Sequence, residues 1–568
     1  MKAERKIENH KLLNMIRLES YSENNRYMTE LNTTLSSLVD SGEVLGPLIL
    51  STIYTVGRIK LTGSAYYTRF RPGDRVDIRF KKSNINIAVD LSKDWKIESI
   101  IFIKPGEIEL ILSGFRPIEV SDVCELFLFK SSSVGFHYQL LNRLDKFIKS
   151  DRPVVLDSGL YDLDMGSSDF KNCFNKLNTV QQNAIMYLIE NNLNGAVQGP
   201  PGTGKTQLLQ SIIALALSSK MKVCVTSFTN TAVDNLLSRI VKQSSKYDWI
   251  RISDLEKIKK NMYSVDQVDQ HFFYSNFKDE FNELNLFGAT MHKLAYSKIN
   301  FIFDLLVIDE AGQVPIYFWP FIQRLAKRVV LVGDQFQLPP VFLNTHKDLQ
   351  FNNVFSMYLT NNTPMLETQY RMRSEIQKWS SEKFYKGKLV PHESVSNHDY
   401  FAHCPALLTD KYTNYKYFDS SSVGLSSINE ANFIIDKIEK ILKFDNDAKN
   451  IGVICPYRSQ AGIVNAALQN RFGVELASKV LVDTVERFQG QEREIIFLSM
   501  SGYGSSSEDL SFLSDSKRLN VSVTRAKSRF FCLSGANLLN RSNSHSFHDL
   551  HEFLNWVHKG NAKIRKAA

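Results

Sequence analysis

Residues 199–206 read Gly199-Pro200-Pro201-Gly202-Thr203-Gly204-Lys205-Thr206, which fits the phosphate-binding pattern G-x-x-x-x-G-K-[ST]. In such a loop the glycines let backbone N–H groups face a polyphosphate, the lysine neutralises its charge and the threonine hydroxyl ligates Mg²⁺. An apolar lead at 195–198 predicts a buried strand before the loop, and an apolar run without Gly or Pro at 207–217 predicts a helix after it. This context favours a nucleotide site over a chance match in a Gly/Pro-rich turn.

Two later apolar stretches each end in acidic side chains. Residues 303–308 lead into Asp309 and Glu310, an arrangement in which one carboxylate holds Mg²⁺ and the second takes a proton from the attacking water. A further stretch ends in Asp334, with Gln337 three residues on. Because ligand sites of open α/β sheets lie at the carboxyl ends of strands, these groups are expected beside the loop. The sequence therefore predicts that the chain binds and hydrolyses a nucleotide.

Composition narrows the class of protein. The 568 residues, 43% of them hydrophobic, fill several cores and predict a multidomain globular chain. No apolar run approaches the roughly 20 residues of a membrane span, and the N-terminus leads into polar sequence, so we expect an intracellular, soluble protein. The six cysteines form no C-x-x-C pair, which predicts neither a disulfide framework nor structural zinc. A net charge of +9 favours a polyanionic partner but also occurs in ordinary enzymes.

Changes of pattern along the chain predict its domains. The predicted order is a helical stalk at 1–45, a small β-barrel at 46–130, a second stalk part at 131–155, an α/β lobe with the phosphate loop at 156–388, a second α/β lobe at 389–556 and a basic tail at 557–568. The first lobe begins with a polar linker at 156–171 and carries a polar insert at about 244–286. The second lobe has no phosphate loop, so we expect the nucleotide at an interface to which it supplies an arginine.

A basic stretch lies within the predicted barrel. Residues 58–82 hold eight basic side chains against two acids, interleaved with tyrosine and phenylalanine. This composition is typical of a surface that follows a nucleic-acid backbone and stacks on bases, with Arg69, Arg71 and Lys81 as candidate contacts. A merely solvated β face explains it equally well, and both interpretations stay open.

Nine stretches in order along the chain resemble the motifs of superfamily 1 helicases. The resemblance is to the Upf-like group, which includes the nonsense-mediated-decay helicase and the immunoglobulin mu-binding-protein helicase, and it covers about residues 40–555. The matching stretches are 177–181, 199–206, 230–234, 308–313, 333–340, 369–372, 456–460, 488–492 and 519–527. The resemblance implies two RecA-like parallel-sheet lobes with an N-terminal β-barrel and a helical stalk. The chain departs from the group by lacking the cysteine-rich module of the decay helicase and by carrying Glu486 where Asp is more usual.

The resemblance also implies roles at an ATP site. Gln181 would read the adenine edge, Tyr370 would stack on the base unless it is plain core, and Glu492 would lie near the ribose or phosphates. The phosphate loop would hold ATP through Gly199, Pro200, Pro201, Gly202, Thr203, Gly204, Lys205 and Thr206. Thr206 and Asp309 would hold Mg²⁺. The implied catalytic residues are Lys205, Glu310 as general base, Gln337 as γ-phosphate sensor, and Arg371 and Arg525 as arginine fingers.

Nucleic acid would run across the carboxyl edges of both sheets. The implied contacts are Ser227, Thr229, Asn230, Thr290, Tyr457, Arg458 and Thr484. Contacts to phosphate and sugar carry no sequence code, so the expected substrate is single-stranded DNA or RNA. The resemblance implies movement 5′ to 3′, and we expect a monomer to be active. The alternative is a nucleic-acid-stimulated ATPase that remodels nucleoprotein complexes with little duplex unwinding.

Overall fold

The structure is a computed structural model of the chain. It describes residues 9–40, 42–55, 57–81, 88–104, 106–114, 125–131, 136–149, 161–243, 248–253, 284–296, 301–344, 351–408, 410–418, 426–445, 447–501, 511–535, 538, 542 and 547–562. Among these residues, no helix is long and apolar enough to cross a membrane. The chain forms two compact units. The first unit comprises Met1–Asn24, Val134–Arg371 and Phe384–His392, and the second comprises Asn25–Ser133, Met372–Lys383 and Glu393–Ala568.

Six antiparallel strands close the barrel of the second unit in the order β1-β2-β5-β4-β3-β6. The strands are β1 Val44–Thr55, β2 Arg58–Ser64, β3 Arg75–Lys81, β4 Ala88–Lys104, β5 Glu107–Ser113 and β6 Leu126–Lys130. In β5 every second residue is buried, because alternate side chains of a strand face the barrel interior. Trp95 fills part of that interior, and its indole N–H donates to Ser92 Oγ at 2.8 Å.

The barrel packs on the helical segment Arg458–Ala477 of the same unit, which is kinked at Gly473. A Cβ at Gly462 would lie 2.1 Å from the carbonyl oxygen of Thr68, so the barrel backbone touches the helix where glycine leaves room. The Gln469 amide accepts a hydrogen bond from the Phe102 N–H at 2.9 Å and donates to the Ile100 carbonyl at 3.2 Å. These contacts fix the barrel on the second parallel sheet.

The first unit contains a six-stranded parallel sheet in the order β7-β12-β11-β8-β10-β9. Its strands are β7 Gly195–Gln198, β8 Val223–Ser227, β9 Trp249–Ile252, β10 Leu286–Thr290, β11 Leu305–Ile308 and β12 Val329–Gly333. All of these strands are buried along their length, as expected when helices cover both faces of a parallel sheet. A small parallel pair follows, β13 Thr368–Gln369 with β14 Val390–Pro391.

Helices surround the first sheet. They are Phe136–Lys149, Ser168–Phe174, Thr179–Glu190, Lys205–Ser218, Asn230–Gln243, Met291–Tyr296, Trp319–Leu325 and Val354–Tyr358. The helix Asn9–Asn32 contributes Leu12, Met15 and Ile16 to the same core, together with Leu140 and Leu144. Helix 205–218 is apolar nearly all round because it lies inside the unit.

The second unit carries a five-stranded parallel sheet in the order β15-β19-β18-β16-β17. Its strands are β15 Thr413–Phe418, β16 Ile451–Ile454, β17 Leu481–Asp483, β18 Arg493–Ser499 and β19 Ala526–Gly535. Besides Arg458–Ala477, its helices are Leu35–Asp40, Ser374–Tyr385 (whose last two residues belong to the first unit), Glu393–Ser396, Ile428–Leu442, Val485–Phe488, Ser516–Val523 and His548–Ala562.

The barrel and the two parallel sheets confirm the predicted fold class. Two local predictions are wrong. Residues 249–252, assigned to a polar insert, form the edge strand β9, and the end of the predicted linker begins the helix Ser168–Phe174. Strand β15 was not predicted. Three predicted features lie wholly or mostly outside the described residues: the insert (244–247 and 254–283), residues 563–568 of the basic tail, and two Ser-rich stretches, 420–427 and 501–507, whose composition predicts surface loops. Lys82 and the side chain of Lys81 also lie outside them.

Candidate nucleotide site and nucleic-acid contacts

The phosphate loop leaves β7 and ends where helix 205–218 begins. Gly202 and Gly204 have φ values of +77° and +79°, a backbone region that glycine adopts without strain. A Cβ at Gly202 would also lie 2.7 Å from Arg371 Cβ, so the close approach of that arginine requires glycine. The loop thus presents backbone N–H groups and a helix N-terminus to one space, the arrangement that binds phosphate.

Lys205 is the first residue of the helix after the loop. Its ammonium donates to the Gly199 carbonyl at 2.8 Å and lies 3.9 Å from Glu310 Oε1. Thr206 follows in the same first turn. The loop therefore holds a positive charge and a hydroxyl at the helix N-terminus, next to an acidic side chain.

Asp309 and Glu310 follow β11 directly. Glu310 has a φ of +51°, uncommon for a residue with a side chain, and its backbone N–H donates to Asp309 Oδ1 at 2.9 Å. Burial, and then the charge of Glu310, raise the pKa of Asp309 to about 7. Two adjacent carboxylates with one ammonium nearby fit a divalent cation, because a bound cation would relieve the repulsion between them.

Asp334 is a buried carboxylate that the sequence placed at a strand end without assigning it a role. It accepts hydrogen bonds from the Tyr385 hydroxyl at 2.6 Å, the Gln337 amide at 3.3 Å, the Gln198 amide at 3.3 Å and the Phe336 N–H at 3.2 Å. Burial raises its pKa, and the Tyr385 hydrogen bond acts in the opposite direction. Asp334 therefore holds Gln337 in place, and no local sequence pattern points to Tyr385 as its partner.

The predicted base contacts are joined by hydrogen bonds. Gln181 accepts from the Asn178 N–H at 3.0 Å through its amide oxygen and donates to the Thr203 carbonyl at 2.9 Å. Asn178 donates its side-chain amide to the Tyr370 hydroxyl at 2.8 Å. The Tyr370 ring is 37% exposed and lies 4.7 Å from the His392 ring, so it is not plain core. This network links the start of helix 179–190 to the phosphate loop.

Arg371 lies beside the loop in the first unit, and its backbone N–H donates to the side-chain amide oxygen of Gln369 at 2.7 Å. Arg525 and Glu492 belong to the second unit. The Arg525 side chain is buried and donates to the Val521 carbonyl at 3.1 Å and to Thr524 Oγ1 at 3.3 Å. Glu492 pairs with Lys527 Nζ at 3.0 Å. The structure thus brings together the assigned nucleotide residues of the first unit, and it surrounds Arg525 with acceptors of its own unit.

The predicted strand contacts of the first unit lie at the carboxyl ends of β8 and β10. The register pairs Ser227 with Thr290, so the two strand ends are neighbours. The Ser227 side chain is buried, whereas Thr229 is exposed. Thr229 Oγ1 and Thr290 Oγ1 each accept a backbone N–H at the start of the following helix, at 3.3 Å. Asn230 begins helix 230–243.

The predicted strand contacts of the second unit gather where the barrel meets the second sheet. Arg71 forms ion pairs with Asp483 and Asp74, and Arg458 lies 3.6 Å from Asp74. Thr484 follows Asp483, and its backbone N–H donates to Asp483 Oδ1 at 2.8 Å. Burial, and then the charge of Arg458, lower the pKa of a further cation there, Lys130. Several cations thus share two carboxylates.

The other predicted contacts of the second unit have separate partners. Tyr457 stacks on Phe512 with ring centroids 5.3 Å apart, and the Arg518 guanidinium lies 4.0 Å from the Phe512 centroid. Arg518 also donates to Glu486 at 3.1 Å, so the unusual glutamate of this motif has a partner. Arg69 pairs with Glu43 at 2.7 Å.

Comparisons with known proteins agree with these motifs. Two family models, each described as an AAA domain, match residues 176–284 and 253–345 in one case and residues 347–537 in the other. The chain is similar to the DNA replication ATP-dependent helicase/nuclease DNA2 of Homo sapiens, with 27% identity over 63% of this chain and 37% of that protein. It is 26% identical to the Helicase sen1 of Schizosaccharomyces pombe over 62% of this chain and 28% of that protein.

A further relative is the DNA polymerase alpha-associated DNA helicase A of Schizosaccharomyces pombe, 26% identical over 67% of each chain. The chain spans about a third of the length of the DNA2-type relatives that it matches. Among solved structures, the arterivirus nonstructural protein 10 (helicase) aligns with a TM-score of 0.37 and 14% identity over 84% of this chain and 76% of that chain. From the two family matches and the curated relatives we conclude that the chain belongs to the superfamily 1 helicases, in the Upf-like group.

Proposed function

We propose that the chain is an ATP-dependent helicase motor that hydrolyses ATP and moves along single-stranded nucleic acid. The observation that carries the proposal is the convergence of side chains from separate stretches around one phosphate loop in the first unit. These side chains are Gln181, Lys205, Glu310, Gln337, Tyr370 and Arg371. A structural loop has no need of an oriented glutamine, a lysine and a pair of carboxylates together.

Each residue has a chemical task in this proposal. When bound, ATP supplies the phosphoryl group, and Mg²⁺ neutralises the charge that develops on it. Lys205 would bind the phosphates, and Thr206 and Asp309 would hold the metal. Glu310 accepts the proton of the attacking water, and Asp334 orients Gln337 toward the reaction.

The nucleic-acid substrate is a single strand of DNA or RNA. The neighbouring ends of β8 and β10, and the cations around Asp74 and Asp483, support contacts to a phosphate backbone. Such contacts read no sequence. The direction 5′ to 3′, the activity of a monomer and a contribution of Arg525 to turnover belong to the proposal through the family resemblance.

ATP turnover tests the proposal directly. It is measured without a strand, with single-stranded DNA, and with single-stranded RNA of equal length. We expect turnover that requires Mg²⁺ and rises with at least one of the two strands. Turnover that is absent, or that no strand changes, would contradict the motor.

A strand-displacement assay distinguishes a helicase, which unwinds a duplex, from an ATPase that remodels nucleoprotein complexes without unwinding. Duplexes with a 5′ or a 3′ single-stranded overhang are incubated with ATP, and we expect displacement from the 5′ overhang. Displacement from the 3′ overhang alone would reverse the proposed polarity. Strand-stimulated ATP turnover with no displacement from either duplex favours the remodelling ATPase instead.

A further inference from the structure

Arg251 is a fully buried arginine on the edge strand β9, and the nucleotide mechanism does not use it. Its Nε donates to Asp234 Oδ1 at 2.7 Å, and its Nη1 donates to the Ile252 carbonyl at 2.9 Å and the Gly288 carbonyl at 3.4 Å. Its Nη2 donates to Asn230 Oδ1 at 2.8 Å. The guanidinium therefore reaches from the sheet into the first turn of helix 230–243.

The contact with Asn230 fixes the direction of that side chain. A guanidinium carries only donors, so the amide oxygen of Asn230 must face Arg251. The two N–H groups of the amide then point away from the guanidinium. Asn230 is half-buried, and its neighbour Thr229 is exposed at the carboxyl edge of the sheet. The arrangement presents amide donors at that edge, and donors are what the oxygens of a phosphate or a sugar accept.

We propose that Arg251 is a positioning residue for strand binding, which it serves by turning the Asn230 amide so that its N–H groups meet the nucleic-acid backbone. The inference rests on the proposed function. Asp234 balances the buried charge and lies one turn after Asn230 on the same helix, so the pair also fixes the helix start. Lysine cannot replace this arrangement, because a compact ammonium does not reach four acceptors in different directions as a planar fork does.

A double-mutant cycle on strand affinity tests whether Arg251 acts through Asn230. The four proteins are wild type, Arg251→Lys, Asn230→Ala and the double variant, and Kd for a fluorescent single strand is measured for each. Arg251→Lys should weaken binding about tenfold in the wild-type background, the scale of one lost hydrogen bond to an anion. In the Asn230→Ala background it should weaken binding less than about twofold. Equal losses in both backgrounds would overturn the inference.

A second comparison leaves Arg251 intact and so does not depend on the fold of its variants. Asn230→Asp keeps an acceptor for the guanidinium, and an acid in the first turn of a helix is stabilising. The carboxylate oxygen that faces away from Arg251 then takes the place of the amide N–H groups, and its charge repels phosphate. We therefore expect Asn230→Asp to bind a strand more weakly than Asn230→Ala, with equal or higher melting temperature.

The outcomes distinguish this inference from the function on which it rests. Binding by Asn230→Asp that equals or exceeds that of Asn230→Ala would overturn the positioning role while leaving the motor intact. Wild-type protein that binds neither DNA nor RNA would overturn both.

Discussion

The residues that we assign to the nucleotide in the first unit and the arginines that we assign to phosphate in the second unit differ in what holds them. In the first unit, the Gln181 amide accepts from the Asn178 N–H and donates to the Thr203 carbonyl, and the Gln337 amide donates to Asp334. In the second unit, the guanidinium groups of Arg71, Arg458 and Arg525 contact carboxylates or carbonyls of their own unit. Neighbouring groups thus fix these side chains of the first unit, and fixed polar groups reorganise little when a ligand binds. A phosphate at Arg71 or Arg458 would compete with Asp74 and Asp483 for the guanidinium groups.

This difference has an energetic consequence. An arginine that leaves a carboxylate for a phosphate is stabilised only by the difference between two ion pairs, and burial of the first pair makes leaving it more costly. We therefore expect the affinity of the second unit for an anion to depend on the carboxylates that compete for its arginines. Four substitutions break or sharpen the comparison.

The largest effect is expected for Arg525→Ala. An arginine that stabilises charge on the transferring phosphoryl group contributes about 10³ to 10⁵ in rate, so ATP turnover with saturating strand should fall by about 10³ or more. Strand binding should persist, and Arg525→Lys should rescue little because a point charge cannot replace the fork. Because the side chain is buried, melting temperatures are measured alongside. Turnover within tenfold of wild type would leave Arg525 with a structural role only.

Glu310→Gln should slow ATP turnover by about a hundredfold, the range of a lost general base. Glutamine keeps the size of the side chain and removes only its basicity. Binding of a nucleotide analogue and of a strand should therefore stay close to wild type. Turnover near normal would show that another group takes the proton, and that the carboxylate pair of the first unit serves the metal alone.

Tyr385→Phe removes one hydrogen bond to buried Asp334 and should lower the free energy of unfolding by about 1.5–3 kcal/mol. The tyrosine hydrogen bond lowers the pKa of Asp334 against burial, which raises it. Its loss raises that pKa further, so Asp334 protonates at a higher pH and releases Gln337. The acid limb of the kcat profile should move to higher pH.

Tyr187→Phe is the matched control for Tyr385→Phe. It deletes a hydroxyl in the same unit, on helix 179–190, for which the described residues provide no hydrogen bond. We expect its stability and its pH profile to match wild type. If the acid limb of the control shifts as far as that of Tyr385→Phe, then protonation of Asp334 does not set the acid limb.

Sequence predicted what is local. The phosphate loop, the strand before it and the acid pair after β11 each occupy a few consecutive residues, so their spacing carries the chemistry. The barrel and both sheets followed from alternating and continuous apolar runs. Strand β9 was missed because its four residues lie among polar sequence, and with it the role of Arg251.

The sequence could not predict contacts between residues that are distant along the chain and meet only after folding. Tyr385 lies 51 residues from Asp334, and Arg71 lies 412 residues from Asp483. No pattern within a window of sequence encodes such pairs. The composition of the barrel stretch indicated basic side chains, but it could not indicate that Arg71 would meet an acid of the second sheet.

The smallest and most specific effect is expected for Asp74→Asn. Asp74 is buried and lies 3.5 Å from Arg71 Nε and 3.6 Å from Arg458, two arginines that we assign to the strand. The substitution removes the charge that competes with phosphate and keeps an oxygen for the Arg71 backbone N–H, which donates to Asp74 Oδ2. Loss of a native ion pair usually weakens function. Tighter strand binding by Asp74→Asn would therefore distinguish competition by Asp74 from a supporting role of its ion pairs.

The measurement is Kd for a single strand over a series of salt concentrations, with Asp94→Asn as control. Asp94 lies on the same barrel, is exposed and pairs with Arg75 at 2.6 Å, so its substitution makes the same change of net charge at an arginine that we do not assign to the strand. Its φ of +64° suits asparagine.

Asp74→Asn should tighten binding about three- to fivefold and steepen the log–log salt slope by about 0.7 for each additional phosphate that the arginines bind. Asp94→Asn should give only the weak, screened effect of one charge. Equal tightening in the two variants would mean that net charge alone sets affinity, and weaker binding by Asp74→Asn would mean that its ion pairs support the strand site instead of competing with it.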